Sequence, residues 1–281
     1  MVDSPVACAP VDVLVPTYER PGALAVTLAG LAGQEEPGFG QEEPGFRIVV
    51  SDQSRSCVAR DPLVAAVVRI LRRHGHRVEI HHHLPRRGVT ENRAHLLSCA
   101  TAPLVLFLDD DVWLEPWGLG RLREAIEKLD CGFVGFAVQG LSYLDDHRPH
   151  ELAPYEEWQG AVTPERLRRE DPGWQRWTLH NAANPTHLGD RLGLSPGHWR
   201  AYKIAWIGGC VLFRRQRLEE TGGFSFWSEL PPAHAGEEVV AQLRVMQRYG
   251  GAGILPSGAV HLELPTTVPN RDVECYDAVD L

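Results

Sequence analysis

The stretch LVLFLDDDVWLEP (residues 104–116) places three adjacent carboxylates directly after a continuous apolar run. The apolar run predicts a buried strand, and Asp109, Asp110 and Asp111 follow where that strand ends. In an extended segment, alternate residues face the same side, so Asp109 and Asp111 could share one divalent cation. The alternative is a solvated acidic loop in front of the helix predicted from Pro116.

The segments around this stretch alternate between strand and helix signals. Predicted strands lie at residues 11–16, 46–50, 77–80, 104–108, 131–138 and 205–213, with a last one near residue 254. Predicted helices lie at residues 21–33, 62–75, 91–99 and 237–249, with another starting at Pro116. Apolar strands separated by amphipathic helices predict an α/β fold in which a mostly parallel sheet is flanked by helices.

Ligands of such sheets bind beyond the carboxyl ends of the strands. Residues 16–20, Asp52 and residues 109–111 all fall at predicted strand ends, so one crevice could collect them. Residues 140–203 break the pattern, because they are rich in Pro, His, Arg and Trp. We expect them to form an irregular insertion lobe over the crevice. The unit GQEEPGF occurs twice within residues 33–46 and is predicted to be a surface loop without an assigned function.

Composition narrows the classes of function. The net charge of −9 argues against broad affinity for nucleic acid, which depends on basic surface. The six cysteines are scattered singly, without a metal-binding or disulfide spacing. No segment resembles a transmembrane helix or a signal peptide, so a cytoplasmic location is expected, with peripheral membrane association as an alternative.

Several further side chains are candidates for chemistry. Glu237 and Glu238 open a predicted helix, where they could either complement its dipole or supply a general base. His261 is either a third metal ligand or a histidine on an edge strand. Arg86, Arg87 and Arg93 could bind phosphate, or be ordinary solvated charges. The triplet of residues 81–83 (HHH) has no cysteine or carboxylate at ligand spacing in the sequence and is predicted to be a surface edge.

Five motifs occur in an order that resembles the family 2 glycosyltransferases of the GT-A fold. They are VDVLVPTYERP, VVSDQS, LVLFLDDDV, WIGGCVLFRRQRLEETGGF and GEEVVAQLRVMQRYGG, within residues 11–136 and 205–262. The resemblance implies one GT-A-like domain over residues 1–281. Its parts would be a nucleotide-sugar-binding half (11–138), the insertion on the acceptor side (140–203), an acceptor and catalytic half (204–264) and a tail (265–281).

The resemblance also implies roles for individual residues. Asp109 and Asp111 would bind Mn²⁺ or Mg²⁺, with His261 as a further ligand, and Glu238, or else Glu237, would be the general base. The donor, a nucleotide diphosphate sugar, would be bound by the following residues: Pro16, Thr17, Tyr18, Glu19, Arg20, Asp52, Arg87, Arg93 and Asp110.

The implied reaction is an inverting transfer of the sugar to an acceptor hydroxyl on a glycan, a lipid-linked compound or a small molecule. Tryptophan and histidine side chains of residues 140–203 are expected to form the acceptor site. Three positions depart from the family pattern, namely Glu19, Ala94 and Glu238. Two alternatives stay open: a non-catalytic sugar-nucleotide or glycan-binding module on the same fold, and a phosphatase of the haloacid dehalogenase type.

Overall fold

A computed structural model describes residues 9–35, 46–140, 142, 145–180, 183–195, 197–268 and 272–281. Most of the repeated GQEEPGF segment lies outside these residues. An eight-stranded sheet forms the centre, in the order β3-β2-β1-β4-β9-β6-β10-β8. Its strands are β1 (Val11–Thr17), β2 (Arg47–Asp52), β3 (Arg77–His82), β4 (Leu104–Leu108), β6 (Phe133–Gly135), β8 (Arg200–Tyr202), β9 (Cys210–Arg214) and β10 (Gly251–Leu255).

The sheet is mostly parallel, as predicted, and the exceptions are β8 and β9. Strands β1 to β4 are parallel to one another, and so are β6 and β10. Strand β9 runs antiparallel between β4 and β6, and β8 runs antiparallel at one edge. Strand β9 pairs with β4 along its whole length, and its first residue, Cys210, lies opposite Leu108 at the end of β4. Gly209, which precedes β9, therefore lies at the carboxyl end of β4.

Helices cover both faces of the sheet. They are α1 (Pro21–Ala32), α2 (Pro62–Arg73), α3 (Val89–Cys99), α4 (Gly118–Leu129), α5 (Ala183–Arg191), α6 (Arg215–Glu220), α7 (Glu237–Tyr249) and α8 (Cys275–Ala278). Helices α1, α2 and α4 share one hydrophobic core with alternate strand residues such as Val13 and Leu106. Helices α3 and α7 share the other core with Leu14 and Val105. This burial on both faces explains why the strands are apolar throughout.

A second sheet was not anticipated from the sequence. Three short strands pair in the order β5 (Val112–Leu114), β11 (Ala259–His261) and β7 (Gln139–Gly140). His261, at the end of β11, therefore lies on the middle strand of this sheet, which contradicts the alternative that placed it on an edge strand. Helix α4 begins at Gly118 rather than at Pro116.

The three aspartates form a turn between β4 and β5. The backbone N–H of Val112 donates to the carbonyl of Asp109 at 3.2 Å. The assumption of an extended segment was therefore wrong, and Asp109, Asp110 and Asp111 contact different partners. Residues 140–203 are irregular, as expected, with short 3₁₀ helices at Pro149–Leu152 and Pro172–His180 besides α5.

Close packing of β10 against β8 gives a test of the fold. A Cβ atom built on Gly253 would lie 2.3 Å from Cζ of the buried Tyr202, so Gly253→Ala should destabilise the protein by about 1–3 kcal/mol through overpacking. Gly22→Ala is the matched control, since its Cβ meets nothing within 4 Å and alanine favours the helix. Urea unfolding would measure both, and equal stabilities would contradict the packing.

Candidate active site

One cleft lies at the carboxyl ends of β1 and β4, with a volume of about 460 Å³. This volume is within the range of small-molecule sites, roughly 300–1,000 Å³. Most of the residues predicted from the sequence line it: Pro16, Thr17, Tyr18, Arg20, Arg93, Asp109, Asp110, Asp111, Glu237, Glu238 and His261. Side chains from distant parts of the chain therefore meet at the edge where the parallel strands end.

Arg93 is the centre of the buried charge cluster, with 2% of its surface exposed. Its Nη2 atom lies 2.7 Å from Asp109 Oδ1 and 3.1 Å from Glu238 Oε1. Its Nε atom donates to Glu237 Oε1 at 2.9 Å. These contacts connect α3, the end of β4 and the start of α7. Burial opposes the charged form of Arg93, but its three carboxylate neighbours outweigh this effect and raise its pKa.

The other two aspartates contact the first strand and β11. Thr17 Oγ1 donates to Asp110 Oδ2 at 2.6 Å. Arg20 Nη1 lies 2.7 Å from Asp111 Oδ2 and 3.4 Å from Asp110 Oδ1. His261 Nε2 lies 3.5 Å from Asp111 Oδ2. The PTYER segment (residues 16–20) and His261 thus contact the acidic turn.

Burial and neighbouring negative charges shift the pKa values of the carboxyl groups in the cleft. Burial raises the pKa of Asp110 to about 7, with a further contribution from the charge of Asp111 and against the hydrogen bond from Thr17. Burial also raises the pKa of Asp109, whose side chain is still 36% exposed, although Arg93 opposes the shift. The raised pKa values of these carboxyl groups thus come first from burial and second from repulsion between neighbouring carboxylates.

Asp111 is the exception among the three aspartates. Burial would raise its pKa, but the contact with His261 and the charge of Arg20 outweigh burial and lower it. In return, the contact with Asp111 raises the pKa of His261 against the effect of burial. The Asp111 carboxylate therefore stays ionised near neutral pH, as a hard-metal ligand must.

Glu238 combines burial with access to the cleft. Its Oε2 atom accepts a hydrogen bond from the backbone N–H of Gly209 at 3.2 Å, and its side chain is 15% exposed. Burial raises the pKa of Glu238 to about 8, with contributions from Asp109 and Glu237 and against the charge of Arg93. Gly209 has φ +80°, a conformation that suits glycine, and so brings its N–H to the glutamate.

Three of the predicted donor-binding residues do not line the cleft. Asp52 is fully buried, and its two carboxylate oxygens accept from the backbone N–H groups of Ser54 and Val58 at 2.8 and 2.7 Å. Glu19 accepts from the backbone N–H of Arg55 at 2.9 Å. These two carboxylates hold the loop that follows β2.

The third residue, Arg87, lies with its guanidinium 5.8 Å from the ring of Trp227. Its neighbour Arg86 lines the cleft instead, with its guanidinium 4.0 Å from the centre of the Tyr18 ring. The basic loop therefore reaches the cleft through the first of its two arginines.

The cleft also includes residues that sequence analysis did not single out. His234 is buried, and its Nε2 accepts from the hydroxyl of Thr90 at 2.6 Å. Gln53 donates to Glu91 Oε2 at 2.9 Å. Residues 264 and 266–268 form one wall. None of these has a sequence signal of its own, because a single histidine, glutamine or loop segment is uninformative without its neighbours in space.

The wall at residues 264–268 belongs to the segment after β11. The backbone N–H of Leu262 donates to the carbonyl of Asp111 at 2.8 Å, and Arg20 Nη2 donates to the carbonyl of Pro265. By contrast, residues 140–203 supply none of the cleft lining among the described residues. Their role in acceptor binding stays a prediction.

The acidic turn has the donor chemistry of a hard-cation site. Mg²⁺ and Mn²⁺ prefer carboxylate oxygens, which Asp109 and Asp111 supply. The ligand atoms of Asp109, Asp111 and His261 do not all lie within 4.8 Å of one another. Among the described residues, the group that meets this spacing is elsewhere and consists of His81, His95 and Cys99.

Comparison with known proteins places the chain in a family. The family model for glycosyl transferase family 2 matches residues 12–195, which is more than half of the 281 residues. The chain therefore belongs to glycosyl transferase family 2, and this argues against the phosphatase alternative. The match ends before Glu237 and Glu238, so their assignment depends on the geometry of the cleft. No curated protein sequence matches the chain.

Solved structures agree on the GT-A fold. The structure of S. aureus TarS, residues 1–349, in complex with UDP-GlcNAc is 16% identical with a TM-score of 0.54, over 92% of this chain and 60% of that one. The mannosyltransferase PcManGT from Pyrobaculum calidifontis, in complex with GDP-Man and Mn²⁺, is 18% identical with a TM-score of 0.55, over 95% and 62%. This chain spans less than two thirds of those proteins. Within the described residues, none of the helices combines the length and the hydropathy that a membrane-spanning segment needs.

Removing the central guanidinium should leave three carboxylates without their shared counter-charge. We expect Arg93→Met to lower the free energy of unfolding by about 3–5 kcal/mol, the usual cost of breaking a buried ion pair from one side. Arg86→Met is the control, because Arg86 is exposed and its contact with Tyr18 contributes less than about 1 kcal/mol. Urea unfolding measures both variants, and an Arg93→Met protein as stable as the control would contradict this role.

Proposed function

We propose that the protein is a metal-dependent inverting glycosyltransferase that moves a sugar from a nucleotide diphosphate donor to an acceptor hydroxyl. The observation that carries the proposal is the charge imbalance of the cleft. Five carboxylates line it: Asp109, Asp110, Asp111, Glu237 and Glu238. In the described part of the chain, these five are contacted by the guanidinium groups of Arg20 and Arg93 and by the imidazole of His261, which is fewer cationic groups than carboxylates. A divalent cation would supply the missing positive charge.

Asp109 and Asp111 would hold this cation, and His261 Nε2 lies 3.5 Å from Asp111 Oδ2. When bound, Mn²⁺ or Mg²⁺ would neutralise the charge that develops on the departing nucleotide diphosphate. Arg20 and Arg86 line the same part of the cleft, where guanidinium groups suit phosphate oxygens. The metal and nucleotide sugar in the PcManGT structure, and the UDP-GlcNAc in that of TarS, support a donor of this class.

Glu238 is the better candidate for the general base. A base acts best when its pKa is near the working pH, and burial brings Glu238 to about 8. The acceptor hydroxyl would transfer its proton to Glu238 while its oxygen bonds to the anomeric carbon and the bond to the diphosphate breaks. Attack from the face opposite the leaving group inverts that carbon. Glu237 is 7% exposed and engaged by Arg93 Nε, which suits a positioning role.

Donor binding tests the metal site. We expect UDP or GDP to bind in calorimetric titrations with Mn²⁺, and binding to weaken by at least about tenfold with EDTA or in Asp111→Asn. Asp130→Asn is the matched control, because Asp130 is an exposed aspartate at φ 44°, which asparagine tolerates. Nucleotide binding that is indifferent to both EDTA and Asp111→Asn would contradict the proposal.

Rates separate the two glutamates and also distinguish an enzyme from a binding module. The titration identifies the nucleotide, and sugar donors that carry this nucleotide are then tested. Release of the nucleotide diphosphate measures either transfer to an acceptor or slow hydrolysis of the donor. We expect Glu238→Gln to lower this rate by about 10²–10⁴-fold with little change in donor affinity, because it removes a proton acceptor. Glu237→Gln should lower the free energy of unfolding but lower the rate less than Glu238→Gln does. Donor binding without any turnover in the wild-type protein would favour the binding module.

A further inference from the structure

A second cluster of metal-ligand side chains lies outside the cleft. It joins the end of strand β3, which supplies His81, to the last two turns of helix α3, which supply His95 and Cys99. The sequence offered no cysteine near the histidine triplet, but the fold brings Cys99 to it. None of the three side chains lines the cleft that holds the acidic turn.

The three potential ligand atoms converge on one point. His81 Nδ1 lies 3.3 Å from His95 Nε2, and Cys99 Sγ lies 3.6 Å from His81 Nδ1 and 3.8 Å from His95 Nε2. Zinc bonds of about 2.0–2.1 Å to nitrogen and about 2.3 Å to sulfur, at tetrahedral angles, separate two nitrogen ligands by about 3.3 Å and a nitrogen from a sulfur by about 3.6 Å. The observed spacing is close to that of three tetrahedral zinc ligands.

Neighbouring side chains hold the ligands in place. The other ring nitrogen of His81, Nε2, lies 3.5 Å from Glu79 Oε2, and Arg47 binds that carboxylate with two hydrogen bonds of 3.0 and 2.9 Å. A carboxylate behind a histidine is a common way to orient a metal ligand. His83 stacks on His95 with ring centres 3.9 Å apart.

The identity of the ligands selects the ion. Imidazole and thiolate favour zinc and related transition metals, whereas Mg²⁺ and Ca²⁺ prefer oxygen. His95 and Cys99 are four residues apart on one helix and so present their side chains on the same face. All three residues are partly exposed, which leaves a route for the ion and a fourth position for water.

We infer that His81, His95 and Cys99 form a binding site for one Zn²⁺ ion, separate from the cation site of the cleft. On binding, the Cys99 thiol releases its proton to solvent and the thiolate sulfur bonds to the metal. The ion fastens β3, an edge strand of the large sheet, to helix α3. Since α3 also carries Arg93, the site stabilises the helix that positions the cleft's central guanidinium.

The test uses the full chain, reduced, stripped with EDTA and desalted, and titrated with Co²⁺ in excess Mg²⁺. Magnesium competes for oxygen ligands but not for imidazole and thiolate, so the cleft is masked. We expect one equivalent of Co²⁺ to produce sulfur-to-cobalt charge-transfer absorption, and Zn²⁺ to displace it. Cys99→Ser should abolish this absorption and weaken Zn²⁺ binding by more than about 100-fold, since it removes one of three ligands.

Cys57→Ser is the matched control, because Cys57 is likewise a free and half-buried cysteine but has no place in the cluster. It should keep the absorption and the affinity. His95→Gln should lose the absorption and the Zn²⁺ affinity as Cys99→Ser does. Glu79→Gln should weaken Zn²⁺ binding by about 10- to 100-fold and keep the sulfur-to-cobalt absorption. The inference is overturned if the wild-type protein shows no charge-transfer absorption, or if Cys99→Ser retains it. Neither result depends on transferase activity.

Discussion

The buried guanidinium of Arg93 is the interaction on which the arrangement of the cleft depends. It joins helix α3, the end of β4 and the first turn of α7 through Asp109, Glu237 and Glu238. Removing charges from water is costly, and this cost is offset only where the geometry and the hydrogen bonds are good. Below the guanidinium lies the Phe107 ring, at 5.6 Å. The cluster can therefore form only when both helices are seated on the same face of the sheet.

The charge balance around Arg93 connects stability with function. The cleft gathers more carboxylates than its arginines neutralise, which disfavours the folded protein unless protons or cations are taken up. A protein that needed only stability would not accumulate such charge. The proposed cation explains the surplus, and the raised pKa of Glu238 suits the proposed base. The same surplus that costs folding energy would thus prepare the site for a diphosphate and for proton transfer.

Helix α3 has two separate roles along its length. Residues near its start, such as Asn92 and Arg93, face the cleft, while His95 and Cys99 near its end face the edge strand β3. Gln53 in the cleft, Glu91 and His83 form a chain of hydrogen bonds between these two regions, with lengths of 2.9 and 2.7 Å. A metal at the inferred site would therefore bind the same helix that carries the arginine.

The sequence by itself determined the fold class, the position of the acidic turn and about half of the residues that line the cleft. It did so because apolar strands, amphipathic helices and the motif order around Asp109 and Asp111 are local patterns, and parallel strands deliver their carboxyl ends to one edge. Helix α7 was predicted with its observed bounds, Glu237–Tyr249. The two glutamates in its first turn are a local signal of this kind.

Only the tertiary structure decided which partner each charge meets. The turn at residues 109–111, the antiparallel course of β9 and the strand β11 arise from pairing between segments far apart in sequence, which no local pattern records. The same holds for residues 264–268 beside the acidic turn and for Cys99 beside His81. Arg93 was visible in the sequence as a candidate phosphate ligand, but its three carboxylates lie 16 or more residues away. Long-range packing brings them together, because a buried charge requires counter-charges from whichever elements surround it.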